Sequence, residues 1–212
     1  MNLQPKAALL DFDGVIADTE PIYDIFWNAM GKKYNLGDHF AAKIKGTIMP
    51  NIMKTYFSNL SEEEQNSNLK ASTDFEKDMP FPPMPGSLEF IDMLKSQGVK
   101  LALVTSSDDN KIKRLITALH FEKTFDTIVS ADRITLGKPN PMCYLLAAKD
   151  LDMKPADCIV FEDSFAGIAA GNAAGMKVVA LSTTNSAESL EGKAWKILPN
   201  LKGISFEEYC RW

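Results

Sequence analysis

Five short, mostly apolar runs limit the folds open to this chain more than any other feature of its sequence. The runs lie at 7–10, 101–104, 128–129, 158–161 and 177–181. A run that is apolar at nearly every position, rather than at alternate positions, is typical of a strand covered on both faces of a parallel sheet. Helical patterns flank the last four runs, at 87–97, 109–120, 140–150 and 165–174. This order predicts an α/β fold whose parallel strands are joined by right-handed crossovers.

The segment between the first two runs has a different pattern. It is helical in character over about 21–77, and it ends in a proline-rich stretch, 79–86. Because four prolines in that stretch cannot continue a helix, it is either a stiff loop or a hinge between two subdomains. The change of pattern across it favours the hinge. We therefore predict a core formed by residues 1–17 and 84–212, and a helical insertion at 18–83.

Composition excludes several classes of function. The 212 residues include 23 Lys and Arg against 28 Asp and Glu, a formal net charge of −5. We therefore expect no broad basic surface for nucleic acid, and no run approaches the ~20 apolar residues of a membrane span. Two histidines and three widely spaced cysteines argue against a multi-histidine metal site or a disulfide framework. Since the first residues lack a long apolar run, we expect a cytoplasmic protein, and a monomer is plausible although the oligomeric state is left open.

Acidic residues follow two of the apolar runs directly. Asp11 and Asp13 end the first run, and Glu162 and Asp163 end the fourth. In an open parallel sheet, ligands bind at the carboxyl ends of the strands. Two carboxylates so close together repel each other unless a cation lies between them, and Mg²⁺ prefers such oxygen ligands. These four acids could also be solvated loop residues, but the pattern favours a Mg²⁺ site.

Two further segments add groups suited to an anion. The run at 101–104 continues into Thr105 and Ser106, whose hydroxyls could bind a ligand, with Ser107 as a possible helix N-cap. Lys138 stands between Gly and Pro in a loop after the third run, where it is either a solvated lysine or a fixed cation. Four carboxylates and one lysine give the expected site a charge of about −3. The site therefore needs Mg²⁺ before it can hold a phosphate group.

These motifs, taken in order, resemble those of the haloacid dehalogenase superfamily. The residues that carry the resemblance are the segment 11–15, Thr105, Lys138 within Gly-Lys-Pro, and the segment 162–164. The longer segment 162–176 is similar to the β-phosphoglucomutase-like branch. The resemblance runs through nearly the whole chain. It implies a Rossmann-like, doubly wound parallel sheet with a helical cap inserted after the first strand.

The resemblance also implies a mechanism through an aspartyl-phosphate. Asp11 would attack phosphorus, and Asp13 would protonate the leaving oxygen and later take a proton from water. Thr105 and Lys138 would hold the phosphoryl oxygens, with Ser106 among the phosphate-binding residues.

The implied cofactor is Mg²⁺, and the implied partner is a small phosphorylated metabolite. The family's metal ligands correspond to the two acidic strand ends. The resemblance places the ion on the Asp11 carboxylate, the Asp13 backbone carbonyl and Asp163, with Glu162 nearby.

The expected cap departs from the sugar-phosphate mutase of this branch. Tyr23 stands where the mutase carries a cap histidine, and Met49 stands where it carries a phosphate-binding arginine. A mutase must grip a second, distal phosphate, which requires such a cation. Lys45, next to Gly46, or Lys77 could substitute, although Lys45 could equally be a solvated helix charge. We assign substrate choice to Tyr23, Lys45, Gly46 and Lys77.

The departures favour a Mg²⁺-dependent phosphatase that acts on a metabolite such as a sugar phosphate. The alternative is a β-phosphoglucomutase-type phosphomutase, which interconverts sugar phosphates instead of releasing phosphate. A less favoured interpretation is a non-catalytic, receiver-like signalling domain, since receivers also carry acidic pairs, a hydroxyl and a lysine. The order of the motifs and the helical insertion argue against it.

Overall fold

A six-stranded parallel sheet forms the centre of the computed structural model, which describes residues 6–44 and 49–212. The strands are β1 (Ala7–Leu10), β2 (Leu101–Val104), β3 (Thr127–Val129), β4 (Cys158–Glu162), β5 (Lys177–Leu181) and β6 (Lys196–Leu198). They lie in the order β3-β2-β1-β4-β5-β6, the doubly wound order of a Rossmann-like sheet. The prediction of a doubly wound parallel sheet with a helical insertion is confirmed.

Each apolar run of the sequence forms one of the first five strands. The sixth strand, β6, is half-buried at an edge of the sheet and is not among the predicted runs, although its Ile197 and Leu198 form an apolar pair as short as the one at 128–129. A strand with one open edge does not need side chains that are apolar at every position. The apolar runs identify the four inner strands and the edge strand β3, and they miss the edge strand β6.

Helices connect the strands and make up the insertion. In the described part of the chain they are α1 (Glu20–Lys33), α2 (Phe40–Ile44), α3 (Met49–Tyr56), α4 (Glu62–Lys77), α5 (Ser87–Ser96), α6 (Asp109–Ala118), α7 (Met142–Asp150), α8 (Phe165–Ala173), α9 (Ala187–Leu190) and α10 (Phe206–Cys210). None of the helices in the described ranges combines the length and the apolar character needed to cross a membrane.

The chain divides into two compact units. The sheet unit comprises Met1–Asp18 and Phe81–Trp212, and the helical unit comprises Thr19–Pro80. In the sheet unit, buried side chains of the strands form one hydrophobic cluster with those of α7 and α8, which includes Val160, Tyr144 and Ile168. Burial of such side chains contributes roughly 25 cal/mol per Å² of apolar surface, so this core fixes the strands whose ends carry the acids.

The helical unit has a core of its own. Aromatic rings dominate it, with edge-to-face contacts between Trp27 and Phe40 and between Phe40 and Phe57. A capping box starts α4, where the Ser61 hydroxyl accepts from the Glu64 N–H and the Glu64 carboxylate accepts from the Ser61 N–H. This reciprocal cap satisfies donors that the first helical turn would otherwise leave unpaired.

Candidate active site

The candidate site lies at the carboxyl ends of β1, β2 and β4, beside the point where the strand order reverses. Asp11 follows β1, and its N–H donates to the carbonyl oxygen of Phe161 in β4 at 3.0 Å. Thr105 follows β2, and its N–H donates to the carbonyl oxygen of Val129 in β3 at 3.0 Å. Glu162 is the last residue of β4. Continued strand pairing therefore sets the backbone of each residue that carries a side chain into the site.

Three carboxylates form a tight acidic cluster at this edge. Oxygens of Asp11, Glu162 and Asp163 lie within 4.8 Å of one another, and all three side chains are buried. Burial raises the pKa of Asp11 to about 7, with a smaller contribution from Glu162, although Lys138 opposes the shift. A carboxyl group in this condition favours a cation beside it, since a bound cation stabilises the ionised form.

Lys138 is the cation that joins the two acidic strand ends. Its Nζ lies 3.0 Å from Asp11 Oδ1 and 2.5 Å from Glu162 Oε1, and its side chain is 7% exposed. Burial alone would lower the pKa of Lys138, but the two carboxylates outweigh that effect and raise it. Lys138 therefore stays charged, and the predicted loop lysine is a buried member of the cluster.

Glu162 accepts hydrogen bonds at both of its carboxylate oxygens. Its Oε1 accepts from Lys138 Nζ and from the Tyr144 hydroxyl at 2.9 Å. Its Oε2 accepts from the backbone N–H of Asp163 and from both the N–H and the hydroxyl of Ser164, at 3.0 to 3.1 Å. Burial would raise the pKa of Glu162, but Lys138 and these donors lower it below its usual value. Both oxygens are thus engaged by the protein itself.

Asp163 is held by a segment that follows β5. The Thr184 hydroxyl donates to Asp163 Oδ2, and the Asn185 side-chain amide donates to the Asp163 carbonyl oxygen at 2.8 Å. Gly14 packs against the same carboxylate, because a Cβ at that position would overlap Asp163 Oδ2. Gly14 also has a φ of +73°, which favours glycine. Position 14 therefore has no room for a side chain larger than that of glycine while Asp163 keeps its place.

Asp13 lies apart from the acidic cluster that the described residues form. Lys111 Nζ in α6 donates to both of its carboxylate oxygens, each at 2.8 Å. The Ser107 hydroxyl lies 3.4 Å from Asp13 Oδ2. The two acids at the end of β1 therefore have different cationic partners, Lys138 for Asp11 and Lys111 for Asp13.

The three hydroxyl residues after β2, at 105–107, lie just before the start of α6. Thr105 is buried and its Oγ1 accepts from the Ser107 N–H at 3.1 Å, whereas Ser106 is exposed. The N-cap of α6 is Asp108, whose carboxylate accepts from the Lys111 N–H at 2.8 Å. The possible cap assigned to Ser107 is therefore wrong, since a carboxylate one residue later makes that hydrogen bond.

Tyr23 and Lys77, two of the four residues assigned to substrate choice, lie in the helical unit. The Tyr23 hydroxyl in α1 donates to Glu76 Oε1 at 2.9 Å. Lys77 is exposed at the end of α4, and its Nζ lies 2.6 Å from Asp74 Oδ1. Lys45 and Gly46 lie outside the described residues.

Sequence reasoning missed four residues that the structure brings to the site: Lys111, Tyr144, Thr184 and Asn185. Lys111 had a usable signal, because it is one turn from the apolar Leu115 and so shares the buried face of an amphipathic helix. Thr184 and Asn185 follow a fifth strand, and the rule of carboxyl ends could have been extended to them. Tyr144 gives no signal, since an aromatic residue on a core helix is usually only packing.

Residues 8–181 match the family of haloacid dehalogenase-like hydrolases. The chain belongs to this family. A phosphorylated carbohydrates phosphatase of Thermotoga maritima is 31% identical over 178 residues, which cover 81% of this chain and 82% of that protein. A validoxylamine A 7'-phosphate phosphatase of Streptomyces hygroscopicus subsp. limoneus is 30% identical over 191 residues, which cover 87% of this chain and 89% of that one.

Solved structures of the haloacid dehalogenase-like hydrolases agree with this membership. A β-phosphoglucomutase of Clostridium difficile has a TM-score of 0.78 and 26% identity, with 98% of both chains covered. A haloacid dehalogenase hydrolase of Entamoeba histolytica has a TM-score of 0.84 over 97% of this chain and 98% of that one. At 23% identity, the second structure shows the fold alone. The resemblance to the β-phosphoglucomutase-like branch is confirmed.

Proposed function

We propose that this haloacid dehalogenase-like hydrolase is a Mg²⁺-dependent phosphomonoesterase that acts on a small phosphorylated metabolite such as a sugar phosphate. The observation that carries the proposal is the buried cluster of Asp11, Glu162 and Asp163 with Lys138 at the carboxyl ends of β1 and β4. The phosphatases among its relatives support the reaction type, and their phosphorylated substrates support the substrate class.

The donor set suits a hard divalent cation. Three buried carboxylates face one ammonium, and the pKa of Asp11 is raised mainly by burial, with a smaller contribution from the neighbouring carboxylate of Glu162. We infer that the carboxylates of Asp11 and Asp163 and the backbone carbonyl of Asp13 would hold Mg²⁺. The oxygens of Glu162 already accept from several donors, so its main task would be to fix Lys138 and the start of α8. Mg²⁺, when bound, would offset negative charge on the phosphoryl oxygens and keep Asp11 ionised.

Asp11 would be the nucleophile. Its carboxylate oxygen would form a bond to phosphorus while the bond from phosphorus to the leaving oxygen breaks. Asp13 would give a proton to that oxygen, and its carboxylate would then take a proton from the water that hydrolyses the aspartyl-phosphate. Lys138 and the hydroxyls of Thr105 and Ser106 would donate to the phosphoryl oxygens, where charge develops in the transition state.

A phosphomutase is the second candidate, and the likeness to a β-phosphoglucomutase over nearly the whole chain favours it. The absence of the mutase's arginine at Met49 argues for the phosphatase instead. Substrate choice would rest with the helical unit, where we keep Tyr23, Lys45, Gly46 and Lys77 as candidates. Alanine variants of these residues should change the ranking of substrates. They should leave turnover of p-nitrophenyl phosphate within about fivefold, the effect of roughly 1 kcal/mol.

A phosphate-release screen over phosphorylated metabolites, with Mg²⁺ and with EDTA, tests the proposal. We expect release from at least one sugar phosphate with Mg²⁺ and none with EDTA. The Asp11→Asn variant should release none in either condition. Interconversion of hexose 1- and 6-phosphates that depends on a bisphosphate, without net phosphate release, would instead establish the mutase. Wild-type turnover by Asp11→Asn would refute the assignment of the nucleophile.

A further inference from the structure

We infer that Lys111 is a positioning residue for the acid–base carboxylate Asp13, an inference that rests on the proposed function. Lys111 belongs to none of the four family motifs. Its Nζ lies 2.8 Å from Asp13 Oδ1 and 2.8 Å from Asp13 Oδ2. An ammonium in contact with both oxygens restricts the rotation of the carboxyl group and also fixes its position.

The surroundings of Lys111 are those of a fixed group. Its side chain is 5% exposed, so the ammonium has lost most of its water, and the carboxylate of Asp13 is one group that compensates for that loss. The Phe12 ring lies 5.7 Å from its Nζ, within the range of a cation–π contact. Its backbone N–H is bound by the N-cap Asp108 at 2.8 Å, which fixes the first turn of α6. Both ends of the lysine are therefore anchored inside the sheet unit.

Helix α6 offers a clear contrast in Lys113. It lies two residues further along the same helix, and its side chain is exposed. A lysine is ordinarily exposed, because burying its charge is unfavourable unless a partner compensates. The burial of Lys111 therefore has to be explained by what it contacts, and it contacts the carboxylate that would move the proton.

A general acid must lie within hydrogen-bond reach of the leaving oxygen to be effective. Asp13 reaches its position through two freely rotating side-chain bonds, and 25% of its side chain is exposed. Lys111 would limit those rotations without touching the substrate. The need for a proton depends on the leaving group, since a sugar alkoxide must be protonated and a nitrophenolate need not be. Loss of Lys111 should therefore affect sugar phosphates far more than p-nitrophenyl phosphate.

The test compares Lys111→Met with Lys111→Arg and with the control Lys113→Met on both kinds of substrate. Lys111→Met should lower kcat for the sugar phosphate by about 100-fold, the lower end of what general acid–base catalysis contributes. It should lower kcat for p-nitrophenyl phosphate by less than about tenfold, with KM nearly unchanged for both. Lys111→Arg should recover most of the lost rate, since it keeps a charged two-donor contact. Lys113→Met should match the wild type.

A double variant separates positioning from simple support of the fold. Adding Lys111→Met to Asp13→Asn should cost little more than Asp13→Asn alone, because there is no longer an acid to position. Equal losses on both substrates, a loss confined to KM, or full additivity in the double variant would overturn the inference. If Lys111→Met fails to fold, Lys111→Gln makes the same comparison, with the same outcomes for and against.

The outcome also distinguishes this inference from the proposed function. An Asp11→Asn variant that keeps wild-type turnover would refute the phosphatase mechanism itself. An inactive Asp11→Asn variant together with a Lys111→Met variant that behaves like Lys113→Met would refute only the role of Lys111.

Discussion

The two acidic strand ends carry the same number of carboxylates but surround them differently. After β1, Asp11 and Asp13 each contact a different buried lysine. At the end of β4, Glu162 accepts from Lys138 and from several neutral donors. Asp11 and Glu162 are both buried, yet the pKa of Asp11 is raised and that of Glu162 is lowered.

Burial acts on both acids, and the cations and hydrogen-bond donors around each one account for the opposite directions of their pKa shifts. Burial disfavours the ionised form of both carboxyl groups, but Glu162 recovers that loss through hydrogen bonds to both oxygens. Asp11 contacts the ammonium of Lys138, and a further cation would stabilise its ionised form. One strand end thus presents an acid that a cation would stabilise, and the other presents an acid whose two oxygens already accept hydrogen bonds from its neighbours.

Removal of Lys138 should produce the largest effect, because this lysine joins both strand ends. Lys138→Met should lower kcat by at least about 100-fold, the loss typical of removing one transition-state donor. It should also lower the free energy of unfolding by about 3–5 kcal/mol, since Asp11 and Glu162 would lose their shared cation. Urea unfolding and steady-state kinetics measure both. The exposed Lys149 of α7 is the matched control, and a Lys138→Met variant as stable as Lys149→Met would contradict the comparison.

Gly14, in the turn after β1, lies against Asp163, and a substitution that adds one methyl group at position 14 tests this contact. Gly14→Ala places a Cβ against Asp163 Oδ2, and should lower kcat by about 100-fold through displacement of that carboxylate. Gly98 has the same φ of +73°, but a Cβ there would have no atom within 4 Å. Gly98→Ala should therefore cost about 1–2 kcal/mol of stability from the backbone alone and leave kcat unchanged. Equal kinetic losses in the two variants would show that backbone strain, not contact with Asp163, is responsible.

Thr184→Val tests whether Asp163, rather than Glu162, is the Mg²⁺ ligand at the end of β4. It removes the hydroxyl that donates to Asp163 Oδ2 and leaves the donors of Glu162 in place. The dissociation constant of Mg²⁺ should rise by about tenfold, the lower end of the effect of groups that orient metal ligands. Isothermal titration calorimetry with Mg²⁺ measures it directly, and Thr117→Val, at an exposed position of α6, is the control. An unchanged dissociation constant would remove Thr184 from the metal site.

The opposite pKa shifts of Asp11 and Glu162 predict a smaller effect on stability. The pKa of Asp11 is about 7 in the folded state against an ordinary 3.8, so its stabilising contribution is lost as pH rises through 7. The lowered pKa of Glu162 gives a contribution that is lost only as pH falls below its ordinary range. In EDTA, between pH 5 and pH 8, the wild type should therefore lose about 5–10 °C of Tm relative to Asp11→Asn. That is the shift that roughly 2–3 kcal/mol produces in a chain of this size. Parallel pH profiles of the two proteins would contradict this.

The sequence predicts the parts of the site that strand ends carry. Asp11, Thr105 and Glu162 could be placed together because apolar runs locate parallel strands, and parallel strands bring their carboxyl ends to one edge. Lys138 could be included from its place in a Gly-Lys-Pro loop after the third run, although nothing in the composition of that loop shows that the lysine is buried. Chain pattern and topology thus account for the three strand-end residues, and the motif accounts for the lysine.

What the sequence could not predict is which donor each acid would have. Lys111 contacts Asp13 because α6 starts at Asp108 and turns that lysine inward, and a shift of one residue in the helix start would turn it elsewhere. Thr184 reaches Asp163 from a loop whose conformation no periodicity describes. Such contacts depend on tertiary packing, which a one-dimensional pattern records only weakly.

The central claim is that Asp11 carries the phosphoryl group during turnover. Rapid acid quenching of the enzyme with Mg²⁺ and a substrate found in the screen, followed by peptide mapping, tests this most directly. We predict an acyl phosphate on the peptide that contains Asp11, and none in the Asp11→Asn variant. A phosphoryl group on another residue, such as Thr105 or Ser106, would contradict the account.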